Sequence, residues 1–492
     1  MSTTRLIIAL LAPLLAGCAV GPDFERPAAP GAQDFGPTAP TTPTATAEQV
    51  AQSFDPHAEL SDQWWRAYSS RALDALVTQA LADNPGLDAA QAALRQALAL
   101  TAAQRGYYLP TLSAGLGASS NLTAVGALAP AAASGNPYYT LVTGQLGISY
   151  VVDVFGANRR AVESLAAQEE VARFQAEATR ITLANNVVTT AIAAAALRDQ
   201  IDATEKTIAV ESDLLAILER QHRLGAVSMA DVAAQQTALA QARQALPPLQ
   251  RGLAQQNDLL ATLLGKTPAD LQPSSLRLDD LQLPQSLPIS LPAALVDQRP
   301  DLRAAEAELH AASANVGIAV AARLPQILLV GQLGNSPNQL QNMFMPGTNF
   351  WTLAGGLTGP IFDAGTLMFR QRAAQAAFEQ AGAQYRAVAL AAMQNVADCL
   401  AALDTDANAL AAAAAAEQAA ARSLDIARRQ LALGQIAYAQ VLAAEQAYQT
   451  TMLSLIQARA ARLADTAALF QALGGGWWNR PANGLDSQGA TL

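Results

Sequence analysis

The sequence predicts a mostly helical protein that also carries four membrane-spanning β-strands, and three observations lead to this fold class. Alanine is abundant in a chain of 492 residues, of which 51% are hydrophobic and only 14% are charged. Alanine favours a helix interior more than any other residue. Two long stretches have no proline, and four short stretches alternate apolar residues with small or polar ones. The chain is therefore expected to combine unusually long helices with a few strands.

Charge and composition exclude several classes of protein. The net charge is −10, from 30 basic and 40 acidic residues, and this balance argues against a nucleic-acid partner. Two cysteines, Cys18 and Cys399, are too few for a disulfide framework. The three histidines are too scattered for a metal site of ordinary spacing. We expect neither a cofactor nor a metal.

The N-terminus has the pattern of an export signal. Arg5 is followed by an apolar run over residues 6–15, which is too short to span a bilayer and is typical of a signal peptide. The run ends in Leu15-Ala16-Gly17-Cys18, which resembles the bacterial lipoprotein box. That resemblance implies cleavage after residues 1–17 and acylation of Cys18. An ordinary signal peptide with an incidental cysteine is the alternative.

Residues 18–60 are expected to form a lipid-anchored strap. Six prolines lie between Pro22 and Pro43, and proline at this density disfavours both helix and sheet. The residue after the cysteine, which matters for lipoprotein sorting, is Ala19 rather than an aspartate. In the common sorting rule for bacterial lipoproteins, this implies the outer membrane.

The rest of the chain is a tandem duplication of one structural unit. An offset of 209 residues carries Gly156 onto Gly365, and Leu224-Gly225 onto Leu433-Gly434. We therefore predict a first repeat over residues 61–275 and a second over 276–476, followed by a flexible tail at 477–492.

Each repeat is predicted to contain a β-hairpin, at about residues 111–153 and 326–361. Alternation runs through Leu112, Ala114 and Leu116, and strands of about ten residues have the length that a tilted transmembrane strand needs. Soluble hairpins packed on helices would show the same pattern.

Each repeat also predicts a long helix, a sharp turn and a returning helix. A proline-free stretch from Gly156 to Leu224 would give a helix of about 100 Å at roughly 1.5 Å per residue. In the first returning helix, apolar residues from Leu239 to Leu263 alternate spacings of three and four, which is a coiled-coil seam. Pro247-Pro248 interrupt the seam and predict a kink. The turns are expected at 224–225 and 433–434, where glycine ends each helix.

Motifs of catalysis are missing from the sequence. Gly265-Lys266-Thr267 looks like the end of a phosphate-binding loop, but the required earlier glycine is Leu260. We find no metalloprotease, redox or hydrolase motif. The sequence therefore does not predict an enzyme.

A family resemblance rests on several short motifs in a fixed order. The lipoprotein box is followed by Gly21-Pro22-Asp23-Phe24 and then by Trp64-Trp65-Arg66. The segments at 152–156 and 360–365 close the two hairpins with Val-Asp-Val-Phe-Gly and Pro-Ile-Phe-Asp-Ala-Gly. Together with the double copy, residues 17–478 resemble the TolC/OprM family, and more narrowly its NodT-type outer-membrane lipoproteins of tripartite efflux systems.

The resemblance implies a homotrimer. Each protomer would give four strands to one shared 12-stranded β-barrel and its long helices to a periplasmic coiled-coil α-barrel. The assembly would be a passive exit duct for drugs and other small molecules. Its expected partners are outer-membrane lipid, a periplasmic membrane-fusion adaptor and an inner-membrane transporter of the RND class.

The resemblance also implies site residues at the two turns. Asp231 matches a family aspartate of the periplasmic gate, whereas the second copy has Gln440 at the corresponding position. We therefore expect closure by packing near Leu433 and Tyr438, with Asp231 pairing to a base such as Arg223 or Arg428. An ordinary solvated helix residue is the alternative for Asp231. The expected adaptor-docking residues are Leu224, Gly225, Val227, Leu433, Gly434 and Gln435.

Three rival functions remain open on the sequence. The same architecture could serve as the outer-membrane duct of a type I protein secretion system. A periplasmic coiled-coil scaffold without a pore would lack both a stable trimer and ion conductance. A lipoprotein enzyme is the third, and the missing motifs argue against it.

Overall fold

The computed structural model describes residues 19–28, 52–55, 58–122, 137–272, 275–289 and 292–480. The predicted signal peptide and Cys18 lie outside these residues. So do residues 123–136 between the first two predicted strands, and residues 481–492.

The helices and strands follow the order expected for a repeated unit. In chain order they are β1 Ser53–Asp55, α1 Arg71–Asp83, α2 Pro85–Arg105, β2 Thr111–Leu122, β3 Tyr138–Val152, α3 Ala157–Arg223, α4 Met229–Leu263, β4 Ser286–Pro288, α5 Pro292–Gln298, α6 Pro300–Ala321, β5 Gln326–Asn335, β6 Asn349–Thr358, α7 Thr366–Ala432 and α8 Tyr438–Ala472. Short 3₁₀ turns lie at Trp64–Tyr68, Gly106–Tyr108, Pro268–Asp270, Leu278–Asp280, Leu340–Asn342 and Trp477–Asn479.

The long helices have equal lengths in the two halves of the chain. Helices α3 and α7 each contain 67 residues, and α4 and α8 each contain 35. Both long helices follow a glycine with positive φ, Gly156 at 77° and Gly365 at 86°. The predicted helices after these two glycines are confirmed. By length and composition alone, α3 and α7 could each cross a membrane, a test that core helices of other proteins also pass.

Helix α4 has the predicted seam. Leu239, Ala242 and Leu260 are buried and Leu246 and Leu249 are half-buried, while most positions between them are exposed. The two prolines at 247 and 248 lie inside one continuous helix, so they do not end α4, and the predicted kink stays a prediction.

The chain divides into two compact units. The first holds the described part of 1–27 together with 94–172 and 305–385. Its centre is an antiparallel sheet with the strand order β2-β3-β5-β6. The two predicted hairpins are therefore confirmed, and β3 of the first repeat pairs with β5 of the second.

The second unit has a mostly aliphatic core that also contains Trp64, Trp65, Tyr68 and Phe470. It comprises 28–93, 173–304 and 386–492, as far as these are described. Tyr68 is fully buried and donates a hydrogen bond of 2.8 Å to the carbonyl oxygen of Leu463. Trp65 donates to Asp74 at 2.9 Å. Strands β1 and β4 form a short parallel pair in this unit.

The chain stays packed beyond the predicted start of the flexible tail at residue 477. Trp477 donates to the carbonyl oxygen of Gln298 at 2.7 Å and packs against Phe174. Arg480 pairs with both carboxylate oxygens of Glu177, at 3.0 and 2.7 Å. The predicted boundary is thus wrong by at least four residues, because Trp and Arg there have partners in the core.

Candidate functional site

The four-stranded sheet has one apolar face, and its other face mixes polar residues with apolar ones such as Leu328. On the apolar face, Leu146 pairs with Leu333, which pairs in turn with Trp351. Leu333 and Trp351 are 60% and 74% exposed. On the other face, Gln332 pairs with Thr352. An exposed apolar face is costly in water and suits lipid, so the arrangement favours membrane strands over soluble hairpins.

The sheet has two open edges. Strands β2 and β6 each pair with a described strand on one side only. Backbone donors and acceptors at an open edge have no partners in hydrocarbon, so four strands with open edges are unstable there. The sheet therefore needs further strands to close it.

The two sharp turns have the same backbone geometry. Gly225 has φ 75°, and Gly434 has φ 70°. At the first turn Gly225 N–H donates to the carbonyl of His222 and Ala226 N–H donates to that of Gln221, both at 2.9 Å. The second turn repeats this pair of bonds at the same spacing. Both are Schellman motifs, which explains why each needs a glycine.

The turns expose the leucines expected to contact other proteins. Leu224 and Leu433, which precede the two glycines, are 79% and 72% exposed. His222 closes the first turn through a 3.0 Å contact between its Nδ1 and the carbonyl oxygen of Val227. Exposed apolar side chains at the end of a helical hairpin provide a surface for docking.

Asp231 caps a helix within its own protomer. Asp231 Oδ2 accepts from Ser228 N–H at 3.1 Å and from the Ser228 hydroxyl at 2.7 Å, and Ser228 Oγ accepts from Asp231 N–H at 3.2 Å. This is a capping box at the start of α4. At the start of α8, Ala437 provides no side-chain cap. The two turns therefore differ in side chains although their backbones match.

Arg428 pairs with Glu445 rather than with Asp231. Its Nη2 lies 3.1 Å from Glu445 Oε1 and its Nε lies 3.4 Å from the same atom. The predicted partnership of Asp231 with Arg428 is thus not observed within one protomer. Glu445 is buried and needs a cation, whereas Asp231 has local donors at the helix start. The other predicted base, Arg223, lies exposed at the end of α3.

A buried polar cluster lies below the turns, and we call it the seam cluster. It comprises Glu211, Gln235, Tyr438 and Glu445, which are all buried. Gln235 Nε2 donates to the Glu211 carbonyl oxygen at 2.8 Å and also to Glu211 Oε2. The Tyr438 hydroxyl donates to Gln235 Oε1. Tyr438, expected in the gate, is therefore fixed inside the protomer, while Leu433 is free to meet another surface.

Electrostatics in the seam cluster favour a protonated carboxyl group. Burial, together with the nearby Glu445 carboxylate, raises the pKa of Glu211 to about 7, although Gln235 and Arg428 act in the opposite direction. Burial also raises the pKa of Tyr438 well above its usual value, so this residue stays a hydrogen-bond donor.

The sequence carried a signal for this cluster that was missed. Gln235 lies four residues before Leu239, in phase with the seam of α4. Glu445 lies four residues after Val441 and three before Tyr448, which is again seam spacing. Polar residues at seam positions of a coiled coil often fix its register.

The N-terminal strap has a built seat on the first unit. Val20 N–H donates to the Phe155 carbonyl at 3.1 Å, and Arg160 Nη2 lies 2.7 Å from Asp23 Oδ1. Phe24 stacks on His310 with ring centroids 4.3 Å apart. The predicted lipidation site, Cys18, immediately precedes this segment but lies outside the described residues.

Across the residues that the structure describes, no group of three or more histidine, cysteine, aspartate or glutamate side chains could hold a metal ion. Cys399 is a half-buried thiol whose pKa burial raises to about 11, so the thiolate form is disfavoured.

The two repeats match a known family of proteins. A family model described as outer membrane efflux protein matches residues 76–266 and 291–475. The two matched segments together cover more than half of the chain and fall on the two predicted repeats.

Relatives and solved structures agree with this match. The pyoverdine export outer membrane protein OpmQ of Pseudomonas aeruginosa is 31% identical over 421 residues, covering 84% of this chain and 87% of that protein. The toluene efflux pump outer membrane protein TtgC of Pseudomonas putida is 30% identical over 487 residues, covering 98% and 97%. The outer-membrane channel OprN has a TM-score of 0.83 at 24% identity, covering 94% of this chain and 100% of that one. The fold is thus that of an outer-membrane channel.

Proposed function

We propose, because this chain belongs to the outer membrane efflux protein family, that it forms the outer-membrane exit duct of a tripartite efflux pump. The two-faced sheet carries this proposal. Its exposed apolar face suits lipid, and its opposite face, which carries Gln332 and Thr352 among apolar residues, would face a water-filled lumen.

Assembly of three protomers would solve the problem of the open edges. Strand β6 of one protomer would pair with β2 of the next, and the resulting closed barrel of 12 strands has no edge in the lipid. The resemblance to trimeric family members supports three copies rather than two or four. The long helices of the three protomers would continue the duct into the periplasm.

The turns are proposed as the contact with a periplasmic adaptor protein. Leu224 and Leu433 are exposed there, and Gly225 and Gly434 give both turns the same backbone. Val227 and Gln435, which follow the two glycines, are proposed to contact the adaptor as well. An inner-membrane transporter of the RND class would supply the energy, because this chain has no motif for hydrolysing a nucleotide.

The periplasmic gate is proposed at the same end. Asp231 caps α4 within its protomer and lies near the turn, so in the trimer it could face a base of a neighbour, such as Arg223. Packing of exposed Leu433 against its copies would add to closure. If Asp231→Ala left both channel conductance and drug leakage at the wild-type level, the gate assignment would be wrong.

The anchor is proposed at Cys18. Acylation there would put lipid chains beside the strap seat, and one acyl chain adds only about 0.8 kcal/mol per buried CH₂. Stable attachment therefore needs more than one chain or the membrane strands themselves. Mass spectrometry of the mature N-terminus tests the lipid directly.

Small molecules are the proposed cargo. The relatives carry names of pyoverdine export, toluene efflux and solvent efflux, which supports efflux over protein secretion. Family and fold are those of channel proteins, and we assign no catalytic residue to the chain.

Two measurements test the proposal. The purified protein should migrate as a trimer in detergent, and it should conduct ions once it is reconstituted in a planar bilayer. A protein that does neither would favour the scaffold alternative. A photo-crosslinking residue at Gln435 in cells should capture an adaptor of an RND pump. Capture of the adaptor of a protein-secretion ATPase instead would keep the duct and replace its cargo.

A further inference from the structure

The seam cluster contains two buried carboxyl groups from different repeats. Glu211 lies on α3 and is 4% exposed, and Glu445 lies on α8 and is 6% exposed. Two buried carboxylates close to each other repel, and each also loses its hydration. Such a pair is stable only when a cation or a proton compensates part of its charge.

Only one oxygen of the Glu445 carboxylate has a partner. Arg428 binds Glu445 through Oε1 only. Glu445 Oε2 is buried and has no hydrogen-bond partner among the described residues. A buried acceptor without a donor costs roughly 1–3 kcal/mol.

The missing donor can come from Glu211. Its Oε2 accepts from Gln235, which leaves the other carboxyl oxygen able to carry a proton toward Glu445. A protonated carboxyl group donates one hydrogen bond, so it would satisfy the acceptor at Glu445 and remove one negative charge.

We propose that Glu211 and Glu445 bind one shared proton, and that this proton locks α8 of the second repeat onto α3 of the first just below the turns. The lock is closed while the pair holds the proton. When the proton leaves to water, two buried carboxylates face a single arginine, and the contact loosens.

Every described neighbour with charge fits this assignment. Arg428 on α7 binds Glu445, and Tyr438 on α8 donates to Gln235, which in turn donates to Glu211. Asp231 on α4 adds negative charge near Tyr438. Arg428 favours the doubly ionised pair, and the carboxylates and burial favour the proton.

The sign of the pH dependence follows from these shifts. The pKa of Glu211 is about 7 in the packed state against 4.5 for the free group, so the stabilisation is complete below about 4.5 and is lost as the pH rises through about 7. Between pH 6 and pH 8 the population of the opened contact should rise about tenfold.

Hydrogen exchange of the full-length protein in detergent tests the lock. The amides of residues 208–214 and 442–448, corrected for intrinsic exchange, should open about tenfold more often at pH 8 than at pH 6. In Glu211→Gln, a neutral amide replaces the acid and can still donate, so protection should stay high at both pH values. The matched control Glu205→Gln changes an exposed residue of the same helix and should keep the wild-type pH dependence.

Two outcomes would overturn the proposal. One is protection of the wild type that does not change between pH 6 and pH 8, and the other is an unchanged pH dependence in Glu211→Gln. Should that variant fail to assemble, infrared difference spectra of the variant Asp406→Asn decide the matter, because Asp406 also has a pKa of about 7 and would add a band of its own in the wild type. The proposal predicts a carboxylic C=O band that is present at pH 6 and lost by pH 8. If this band is missing at pH 6, the shared proton is rejected.

A third variant separates the proton from general packing. Arg428→Gln removes the cation, so the pH at which protection is lost should move upward, whereas Arg428→Lys should restore the wild-type midpoint. None of these measurements requires transport. A wrong proton lock and a wrong exit duct therefore give different results.

Discussion

The hydroxyl group of Tyr438 donates a hydrogen bond to the side-chain oxygen of Gln235, and this bond joins the two repeats. Tyr438 is the first residue of α8, and Gln235 lies in the second turn of α4. Leu218 and Val232 pack against the same tyrosine and form a small apolar cluster with it. The helix that follows the second turn is thus fixed to the hairpin of the first.

We expect Tyr438→Phe to loosen the start of α8. The change keeps the ring in its apolar cluster but leaves buried Gln235 Oε1 without its donor, at a cost of about 1–3 kcal/mol. Hydrogen exchange of residues 438–445 should therefore accelerate. Tyr448→Phe, on the half-buried side of the same helix, is the control and should leave that exchange unchanged. Equal effects of both substitutions would contradict the role of the bond.

We expect opposite effects from two substitutions at matching turn positions. Ser228→Ala removes the capping box of α4 and should destabilise that helix start by about 1 kcal/mol. Ala437→Ser supplies a hydroxyl at the uncapped start of α8 and should stabilise it by a similar amount. Local opening free energies from hydrogen exchange measure both. A stabilising Ser228→Ala would show that the cap observed here does not form in solution.

A second carboxyl pair predicts a pH-dependent unfolding temperature. Burial and a hydrogen bond to Asp465 raise the pKa of Asp406 to about 7, against 3.8 for the free group. The stabilisation is complete below about pH 3.8 and is lost as the pH rises through about 7, so the wild type should melt at a higher temperature at pH 6 than at pH 8.

Asp406→Asn should weaken this dependence, and the remainder comes from Glu211, whose pKa is also about 7. Asparagine keeps the shape and a donor but has no proton to lose. Asp258→Asn, at an exposed position of α4, serves as the control and should follow the wild type. A variant Asp406→Asn that loses as much stability as the wild type between pH 6 and pH 8 would show that other groups are responsible.

We expect Gly317→Ala to displace the N-terminal strap. A Cβ atom there would lie 2.9 Å from both Arg160 Cγ and the Val20 carbonyl oxygen, which is too close for either. The amide of Val20 should then lose its protection against hydrogen exchange. Gly382→Ala is the matched helical control, since its new Cβ would meet no atom nearer than Leu309 Cδ1 at 3.8 Å. Retained protection at Val20 would mean that the strap seat adapts.

The fold could be predicted wherever one local rule operates over many residues. Absence of proline together with abundant alanine predicts α3 and α7, and these run between the glycines expected to flank them. Alternating apolar residues predict the strands, because each strand has one face toward the apolar side of the sheet. By contrast, β1 and β4 have three residues each and too little pattern to be seen.

The candidate site was predicted less well, because its residues depend on contacts between repeats. The gate role of Asp231 stays a prediction, because the contacts observed within one protomer are those with Ser228 at its own helix start. Arg428 was expected beside it and instead serves Glu445. An acidic residue in an alanine-rich helix looks solvated in the sequence, and only the partner helix makes Glu445 a buried group.

The strap seat has a consequence for the timing of folding. The segment from Val20 to Arg26 is among the first parts of the described chain to be synthesised. Gly317, which lies against Val20, and Glu306, which pairs with Arg26, come almost 300 residues later. At about 5–20 residues per second, the ribosome needs roughly 15–60 s to reach them. The strap therefore lacks its complete seat for most of synthesis. Any factor that binds the nascent protein has this interval in which to hold the strap.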